Sequence, residues 1–418
     1  MKQIKIEGGK TLSGTIRISG AKNAAVALIP AAILADDDVT LCNIPEISDI
    51  DSLEEILKYL NVDVKRNTES MIINAKNMEN KEIPEEIAKK LRASYYFMGA
   101  LLARYKKVVM YFPGGCNIGK RPIDIHLEGF EKLGATVNAV GDKYEITAEK
   151  LVGTSLKLPV ASVGATINLM IAATKAEGVT TISNAAKEPE IINVAELLNS
   201  MGAKISGAGT DTIKITGVEN LSKGYSFVIP DRIEAGTYII IGSLLGKNLK
   251  VDNIIPSHLK ALTEKLLECG ADIKIEQESI ICNKNDNLKS NDIITYYYPG
   301  FPTDLQQPFS VLLTQCEGTS TIEEKIWENR FMHVPYLNKM GAKIKVADKK
   351  AIINGKTSLV GQEVVATDLR GGASMIVAGL IASGKTTINE VEHILRGYDE
   401  IIEKLSNVGA KIEIEEIK

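Results

Sequence analysis

The sequence predicts an α/β protein of six βα-type units grouped as two similar domains of three. Three observations predict it. First, a five-residue signature recurs as LGATV (133–137), MGAKI (201–205), CGADI (269–273), MGAKI (340–344) and VGAKI (408–412). Its glycines, Gly134, Gly202, Gly270, Gly341 and Gly409, are spaced by 68, 68, 71 and 68 residues. An earlier LNVDV (60–64) adds a sixth unit, with Asn61 in the glycine's place 73 residues before Gly134. Self-similarity at such a period marks repeated supersecondary units. Second, an apolar stripe precedes each signature: Ile50, Leu53, Leu57 and Leu60 in the first unit, and Ile191, Val194, Leu198 and Met201 in the third. Leu259, Leu262, Leu266 and Cys269 continue it in the fourth, and Tyr398, Ile401, Leu405 and Val408 in the sixth. This is one face of a 3.6-residue helix. Third, each unit has a second helical stretch rich in Ala and Gly, within 21–35, 91–105, 162–174, 232–245, 301–315 and 369–383. Small residues on nearly every face place these helices inside, with the amphipathic ones outside.

In chain order, then, each unit runs through an inner helix, a strand, an outer helix, a left-handed glycine cap and an alternating strand such as AKIKV or AKIEI. Aligning the units puts the midpoint near Pro230. Ser48 and Ser257 stand where outer helices begin, as capping residues would. Residues 379–386, GLIASGKT, satisfy the phosphate-loop pattern literally, but that motif needs a strand before the loop and a helix after it. Here the order is reversed, and ASGKTTINE (382–390) aligns with AEGVTTISN (176–184), so Lys385 reads as a helix-to-strand turn residue.

Composition narrows the function. The chain has 418 residues, 24% charged and 44% hydrophobic, with a formal charge of −4. That balance argues against nucleic acid or an anionic membrane as the main partner. The N-terminus lacks a signal-peptide core and no apolar run reaches spanning length. Five cysteines without paired spacing fit a reducing cytosol, and four histidines without clustered Cys/His spacing offer no structural zinc site. The expectation is a cytoplasmic protein that holds no metal.

Positions that break their own repeat are the site candidates. His126 replaces an apolar stripe residue in the second unit, and Arg330 and His333 replace two in the fifth. Arg121 and Arg396 occupy the outer-helix start in units two and six. A cation there opposes the helix dipole unless an anion binds, so each is either an anion ligand or a solvated surface residue. The inner helices also begin with charge: Lys22, Arg92, Arg232, Asp304, and Asp368 with Arg370. The acids are either caps or site groups. Cys116, in YFPGGCNIGKRP among three glycines and beside Lys120 and Arg121, is either an activated thiol on a flexible loop or an incidental one. The other cysteines read as packing residues, with Cys282 at a strand end.

These residues carry a resemblance that covers the chain end to end. GAKNAA (20–25), LRAS (91–94), PGGCNIGKRPIDIH (113–126), SVGAT (162–166), EPEI (188–191), PDRIEAGT (230–237), FPTD (301–304), ENRFMHVP (328–335), ATDLR (366–370) and RGY (396–398) occur in order. The chain resembles the UDP-N-acetylglucosamine 1-carboxyvinyltransferases of the EPSP synthase superfamily. The resemblance implies an inside-out α/β barrel of two similar domains, 22–229 and 1–21 with 230–418, and a lid at 111–122 closing an interdomain cleft. It implies transfer of the enolpyruvyl group of phosphoenolpyruvate to the 3′-hydroxyl of UDP-N-acetylglucosamine through a tetrahedral ketal, the first committed step of peptidoglycan precursor synthesis. By resemblance Lys22, Asn23, Arg121, Arg370 and Arg396 bind phosphoenolpyruvate, with Arg92 and Arg330 assisting. The uridine nucleotide falls to Arg92, Arg121, Pro122, Ile123, Asp124, Ile125, Ser162, Val163, Gly164, Asp304 and Ile326. Asp304 takes the sugar hydroxyl proton. Cys116 protonates the methylene carbon, can carry a thioketal adduct, and makes family members sensitive to fosfomycin; Lys22 and Arg396 complete the catalytic set. Asp368 and Arg232 are supporting. His126 and Asp124 either order the lid or pack an outer helix. Some members have lysine where this chain has Val160, which puts a diphosphate contact there in question. No cofactor is implied, and a monomer is expected. The shikimate-pathway enzyme of the same fold lacks the PGGC lid. A non-catalytic paralogue would not retain Lys22, Cys116, Asp304 and Arg396 together.

Overall fold

A computed structural model describes residues 2–68, 70–90, 92–111 and 123–416, without the side chains of residues 89, 90 and 92. Cys116, Arg121, Pro122 and nearly all of the expected lid lie outside the described residues. Each repeat is fuller than a βα unit. In the fifth, strand Asp292–Ile294 leads to inner helix Thr303–Thr314, strand Gly318–Glu323, outer helix Val334–Lys339 and the hairpin of Ile344–Ala347 with Lys350–Gly355. The first strand pairs parallel with the second, Ile293 opposite Ile322, and the second pairs antiparallel with the hairpin, Ile322 opposite Ala351. Five four-stranded sheets follow this order. Among the described residues the sheet of the second unit has three strands, and a parallel bridge from Ile83 to Met110 stands where the edge strand would be.

The helices Lys22–Ala32, Tyr96–Tyr105 and Val163–Ala173 are buried along almost their whole length in one unit. Arg232–Leu245, Thr303–Thr314 and Leu369–Ile381 are buried in the same way in the other. The strands instead alternate buried and exposed residues, as in Thr212–Thr216. Helices therefore lie inside and sheets outside, the inside-out arrangement of the expected fold class; among the described residues the strands form six separate sheets. Small residues make this possible. A Cβ on Gly99 would lie 2.3 Å from Asn168 Oδ1 and 2.4 Å from its carbonyl oxygen, so neighbouring helices could not approach if it were larger.

The signature glycines end the outer helices in left-handed geometry. Gly134, Gly202, Gly270, Gly341 and Gly409 have φ between 82° and 110°, and Asn61, the one non-glycine in the series, has φ 61°. Asparagine tolerates that region better than most residues. The stripe residues Ile50, Leu53, Leu57 and Leu60 are fully buried.

The chain divides into two compact units, with the passages between them at 19–20 and 229–230. The N-terminal strands explain those boundaries. Lys2–Glu7 completes the hairpin of the sixth unit, Ile4 pairing with both Ile388 and Ile414. Leu12–Arg17 is the parallel edge strand of the fourth unit, beside Gly246–Asp252. Gly224–Phe227 serves the first unit in the same way, beside Asp38–Cys42. Ser19 is held within the C-terminal unit: its N–H donates to Glu234 Oε2 at 3.0 Å, and Lys404 Nζ reaches both Ser19 Oγ and Glu234 Oε1.

Three expected helix starts differ. Ser48 is the first helical residue of Ser48–Tyr59, after Ile47, and makes no side-chain cap. Ser257 lies inside a short 3-10 turn, Pro256–Leu259. Arg396 is the C-cap of the single-turn helix Glu392–Leu395, and the outer helix proper is Ile401–Asn407. A break after Arg396 displaces the helix by about a turn from where the stripe put it, so Arg396 does not stand against the N-terminal end of a helix dipole. At 379–386 a helix precedes and strand Lys385–Asn389 follows, as the repeat required. Among the described residues no helix is long and apolar enough to cross a membrane.

Candidate functional site

Each unit carries its own cluster of polar groups at the starts of its inner helices. In the C-terminal unit the cluster centres on Asp304, in the first turn of Thr303–Thr314. The helix is preceded by Pro302 and has no side-chain cap, so Asp304 is not spent on its own backbone. Its carboxylate instead lies between two arginines. Arg330 Nη2 donates to Oδ1 at 2.5 Å, and Arg370 reaches Oδ2 through Nη2 at 3.2 Å and Nε at 3.3 Å. Both guanidiniums are 3% exposed while the Asp304 side chain is 28% exposed. The carboxylate is thus fixed by charge-assisted bonds to two buried guanidiniums while remaining partly exposed itself.

Asp368 supports that clamp. It is a cap: Oδ1 accepts from the N–H groups of Arg370 and Gly371 at the start of Leu369–Ile381. Gln307 Nε2 donates to its Oδ2 at 3.1 Å, and Arg330 Nη1 stands 3.9 Å from Oδ1. Burial pushes this carboxyl up, but Arg330, the two backbone N–H groups and Gln307 outweigh it and hold it below the usual carboxylate value. The Arg370 guanidinium lies 5.3 Å over the Tyr398 ring, whose hydroxyl pairs with Thr237 Oγ1 at 3.0 Å. His333 is a packing residue: it is fully buried, with Nε2 2.9 Å from Ser310 Oγ, and burial drives it down to about 4. Arg330 precedes the outer helix Val334–Lys339 and so sits outside it.

Ile326 lies on the loop that leads to Arg330, half-buried. Arg232 begins its helix after Asp231, which caps it through the N–H groups of Ile233 and Glu234. Arg232 stacks on Tyr298, its guanidinium 5.5 Å from the ring, beside a small cavity also lined by His258 and Lys260. Arg396 is half-buried.

In the N-terminal unit Lys22 opens the helix Lys22–Ala32 behind an uncapped Ala21. Its ammonium is 2.6 Å from Asp49 Oδ2, both side chains being largely buried. Asn23 follows, half-buried, and Arg92 starts the 3-10 turn Arg92–Tyr95. Ser162 caps Val163–Ala173 by accepting from the Ala165 N–H. Gly164 is a close-approach glycine: an added Cβ would stand 2.7 Å from Tyr95 Oη and 3.3 Å from His126 Cε1. The structure thereby brings Ser162, Val163 and Gly164 beside the start of helix Asp124–Lys132, which Ile123 precedes. Asp124 is exposed, whereas Ile125 turns its side chain into the core, so only its backbone could serve a ligand. His126 packs: it is buried, edge-on to Tyr95, with Nδ1 3.0 Å from Asn168 Nδ2. Val160 is exposed.

Sequence reasoning missed Asp49, Asp231, Asn168 and Tyr398 as partners of site residues. Asp49 and Asp231 look like ordinary acids at helix starts. Tyr398 was hidden because it fits the apolar stripe. Among the described residues no cluster of three His, Cys, Asp or Glu side chains could hold a metal ion.

Comparison with known proteins extends this geometry. The EPSP synthase (3-phosphoshikimate 1-carboxyvinyltransferase) family pattern matches residues 6–405. The chain is 52% identical over 407 residues to UDP-N-acetylglucosamine 1-carboxyvinyltransferase 2 of Listeria monocytogenes, covering 97% of this chain and 96% of that one. It is 50% identical over 427 residues to the protein of that name from Bacillus cereus, covering all of both. Among solved structures, the enolpyruvyl transferase NikO from Streptomyces tendae superposes with a TM-score of 0.91 at 25% identity, over 100% of this chain and 99% of that one. EPSP synthase from Acinetobacter baumannii shares the fold, with a TM-score of 0.75 at 20% identity over the whole of both chains. The two-unit repeat, the Asp304 clamp and these full-length matches place the chain in the EPSP synthase family, among its UDP-N-acetylglucosamine 1-carboxyvinyltransferases.

Proposed function

We propose that the chain transfers the enolpyruvyl group of phosphoenolpyruvate to the 3′-hydroxyl of UDP-N-acetylglucosamine and releases phosphate. The observation that carries this reading is the Asp304 carboxylate, pinned by Arg330 and Arg370 and 28% exposed. A general base must be ionised, fixed and within reach of the proton it takes. Asp304 accepts the hydroxyl proton as the sugar oxygen attacks C2 of phosphoenolpyruvate. Cys116 donates a proton to C3, giving the tetrahedral ketal. Loss of a C3 proton and of the phosphate then yields the enolpyruvyl ether.

Lys22, Asn23, Arg121, Arg370 and Arg396 bind phosphoenolpyruvate in this reading, with Arg92 and Arg330 assisting. The nucleotide is held by Arg92, residues 121–125, Ser162, Val163, Gly164 and Ile326. Asp368 acts by capping the helix that presents Arg370. The reaction needs no cofactor beyond its two substrates. We place it in the cytoplasm, in a monomer, at the entry to peptidoglycan precursor synthesis.

The test is phosphate release from phosphoenolpyruvate. Release with UDP-N-acetylglucosamine but not with shikimate 3-phosphate is expected, and the reverse pattern would assign the chain to the shikimate reaction. Binding of the sugar nucleotide without turnover would leave a non-catalytic paralogue. Cys116→Asp should keep turnover, because a carboxylic acid also donates a proton, and should lose inhibition by fosfomycin.

A further inference from the structure

Glu324 has no role in the reaction as written, yet it is almost completely buried at the end of strand Gly318–Glu323. Its carboxylate collects four hydrogen bonds. Oε1 accepts from Thr295 Oγ1 at 2.9 Å and from the N–H groups of Ile326 at 2.8 Å and Trp327 at 3.1 Å. Oε2 accepts from Thr303 Oγ1 at 2.9 Å. Thr295 Oγ1 in turn accepts from the Lys325 N–H at 2.9 Å. All four bonds run toward the carboxylate, which suits an acceptor-only anion.

The partners belong to three different elements. Ile326 and Trp327 are the loop, Thr303 is the first residue of the helix that presents Asp304, and Thr295 directly follows the edge strand Asp292–Ile294. The same loop ends at Arg330, which grips Asp304 itself. The loop is thus fastened twice to one helical turn, by Glu324 to Thr303 and by Arg330 to Asp304, with Ile326 and Trp327 held between. A carboxylate with this many donors fixes the loop far more firmly than packing of a half-buried isoleucine could.

We propose that Glu324 is a positioning residue that sets the nucleotide-binding loop at Ile326 in register with the base Asp304. The proposal rests on the enolpyruvyl transfer reading for the roles of Ile326 and Asp304. The chain's single tryptophan, Trp327, lies on the loop and reports on it directly.

Three variants separate the contributions. Glu324→Ala removes every bond. It should raise KM for UDP-N-acetylglucosamine about tenfold and lower kcat about tenfold, with KM for phosphoenolpyruvate little changed. Trp327 fluorescence anisotropy in the free protein should fall as the loop loosens. Glu324→Gln keeps an oxygen for Thr295 and the two N–H groups and offers an amide to the Thr303 hydroxyl, which can accept. It should restore activity to within about threefold. Thr303→Val leaves Glu324 and the loop turn intact but cuts the tie to the helix; it should lower kcat while Trp327 anisotropy stays native, and it covers the case in which Glu324→Ala fails to fold. Wild-type kcat and KM values in Thr303→Val, or a Glu324→Gln variant as impaired as Glu324→Ala, would overturn the proposal. So would an equal rise in KM for both substrates. Absence of turnover in the wild-type protein would instead defeat the functional reading, while the anisotropy of Glu324→Ala would still report whether Glu324 holds the loop.

Discussion

Ala21–Lys22 and Asp231–Arg232 occupy the same place in their two units, each pair opening an inner helix directly after a passage between units. Lys22 follows an uncapped Ala21 and is neutralised from the neighbouring outer helix by Asp49. Arg232 follows a true cap, Asp231, and stacks on Tyr298; His258 stands in its repeat at the place of Asp49. The other inner helices extend the contrast. Asp368 caps one and Asp304 marks another in the C-terminal unit, whereas in the N-terminal unit the described cap is the neutral Ser162. A helix start that carries a cation and no acid cap favours an anion. One that carries its own carboxylate favours an anion only through a cation beside it, such as Arg370 next to Asp368, and it can present the carboxylate itself to a proton donor. The repeat supplies the same scaffold twice, and single substitutions at the helix starts divide the cationic, uncapped ones from those that carry a carboxylate.

The largest test of that division is Asp304→Asn. It keeps the shape of the side chain and removes the base, so kcat should fall by about 10²–10⁴-fold while the nucleotide still binds. Retention of wild-type turnover would reduce Asp304 to a counter-ion for Arg330 and Arg370. In the N-terminal unit the matching change is Lys22→Met. It should raise KM for phosphoenolpyruvate about 10–100-fold and destabilise the fold, because Asp49 is left buried without its ammonium partner. Asp49→Asn should recover part of that lost stability in the double variant but none of the affinity. Additive effects of the two changes would mean that the pair is not coupled.

Much of this was legible before the structure. The left-handed helix ends were, because only a few residues tolerate φ above zero and Gly or Asn stood at each one. The inner helices were, because a small-residue composition has little other use. The helix starts were read less well, since Ser48, Ser257 and Arg396 are all offset from their expected positions. A cap depends on backbone geometry at one residue, and a repeat aligned on its C-terminal glycine carries every length difference to the other end. Asp304 was left open between cap and base because FPTD is compatible with both, and the arginines that hold its carboxylate lie 26 and 66 residues away in the chain. Glu324 was invisible for the same reason. Its four donors are backbone and hydroxyl groups, which no residue pattern reveals.

The C-terminal unit also holds two buried groups that titrate in opposite senses, which gives a third test. Burial pushes Glu234 up to about 7, against the pull of Lys404, so its share of stability is full below about pH 4.5 and is lost as pH rises through about 7. Burial drives His333 down to about 4, so its share is full above about pH 6.5 and is lost as pH falls through about 4. Between those limits the two trends offset each other. Relative to wild type, Glu234→Gln should therefore lose stability on acidification from pH 6.5 to 4.5, and His333→Gln should gain it. Denaturant unfolding at a series of pH values measures both slopes, and parallel curves for all three proteins would mean that neither group's pKa differs between the folded and unfolded states.

The smallest expected effect bears most directly on the comparison. Asp231→Ala converts the C-terminal passage into the arrangement at Ala21, leaving the N–H groups of Ile233 and Glu234 without their acceptor. The loss of such a cap costs about 1 kcal/mol, or about 2–4 °C in Tm for a unit of this size. If capping is all that Asp231 does, kcat and both KM values stay at wild type and only the melting of the C-terminal unit moves. A fall in kcat alongside the small loss of stability would show that the uncapped start at Ala21 is tolerated only where Asp49 answers the cation. In that case Arg232 needs Asp231 for more than its helix, because the histidine that replaces Asp49 in its repeat supplies no carboxylate.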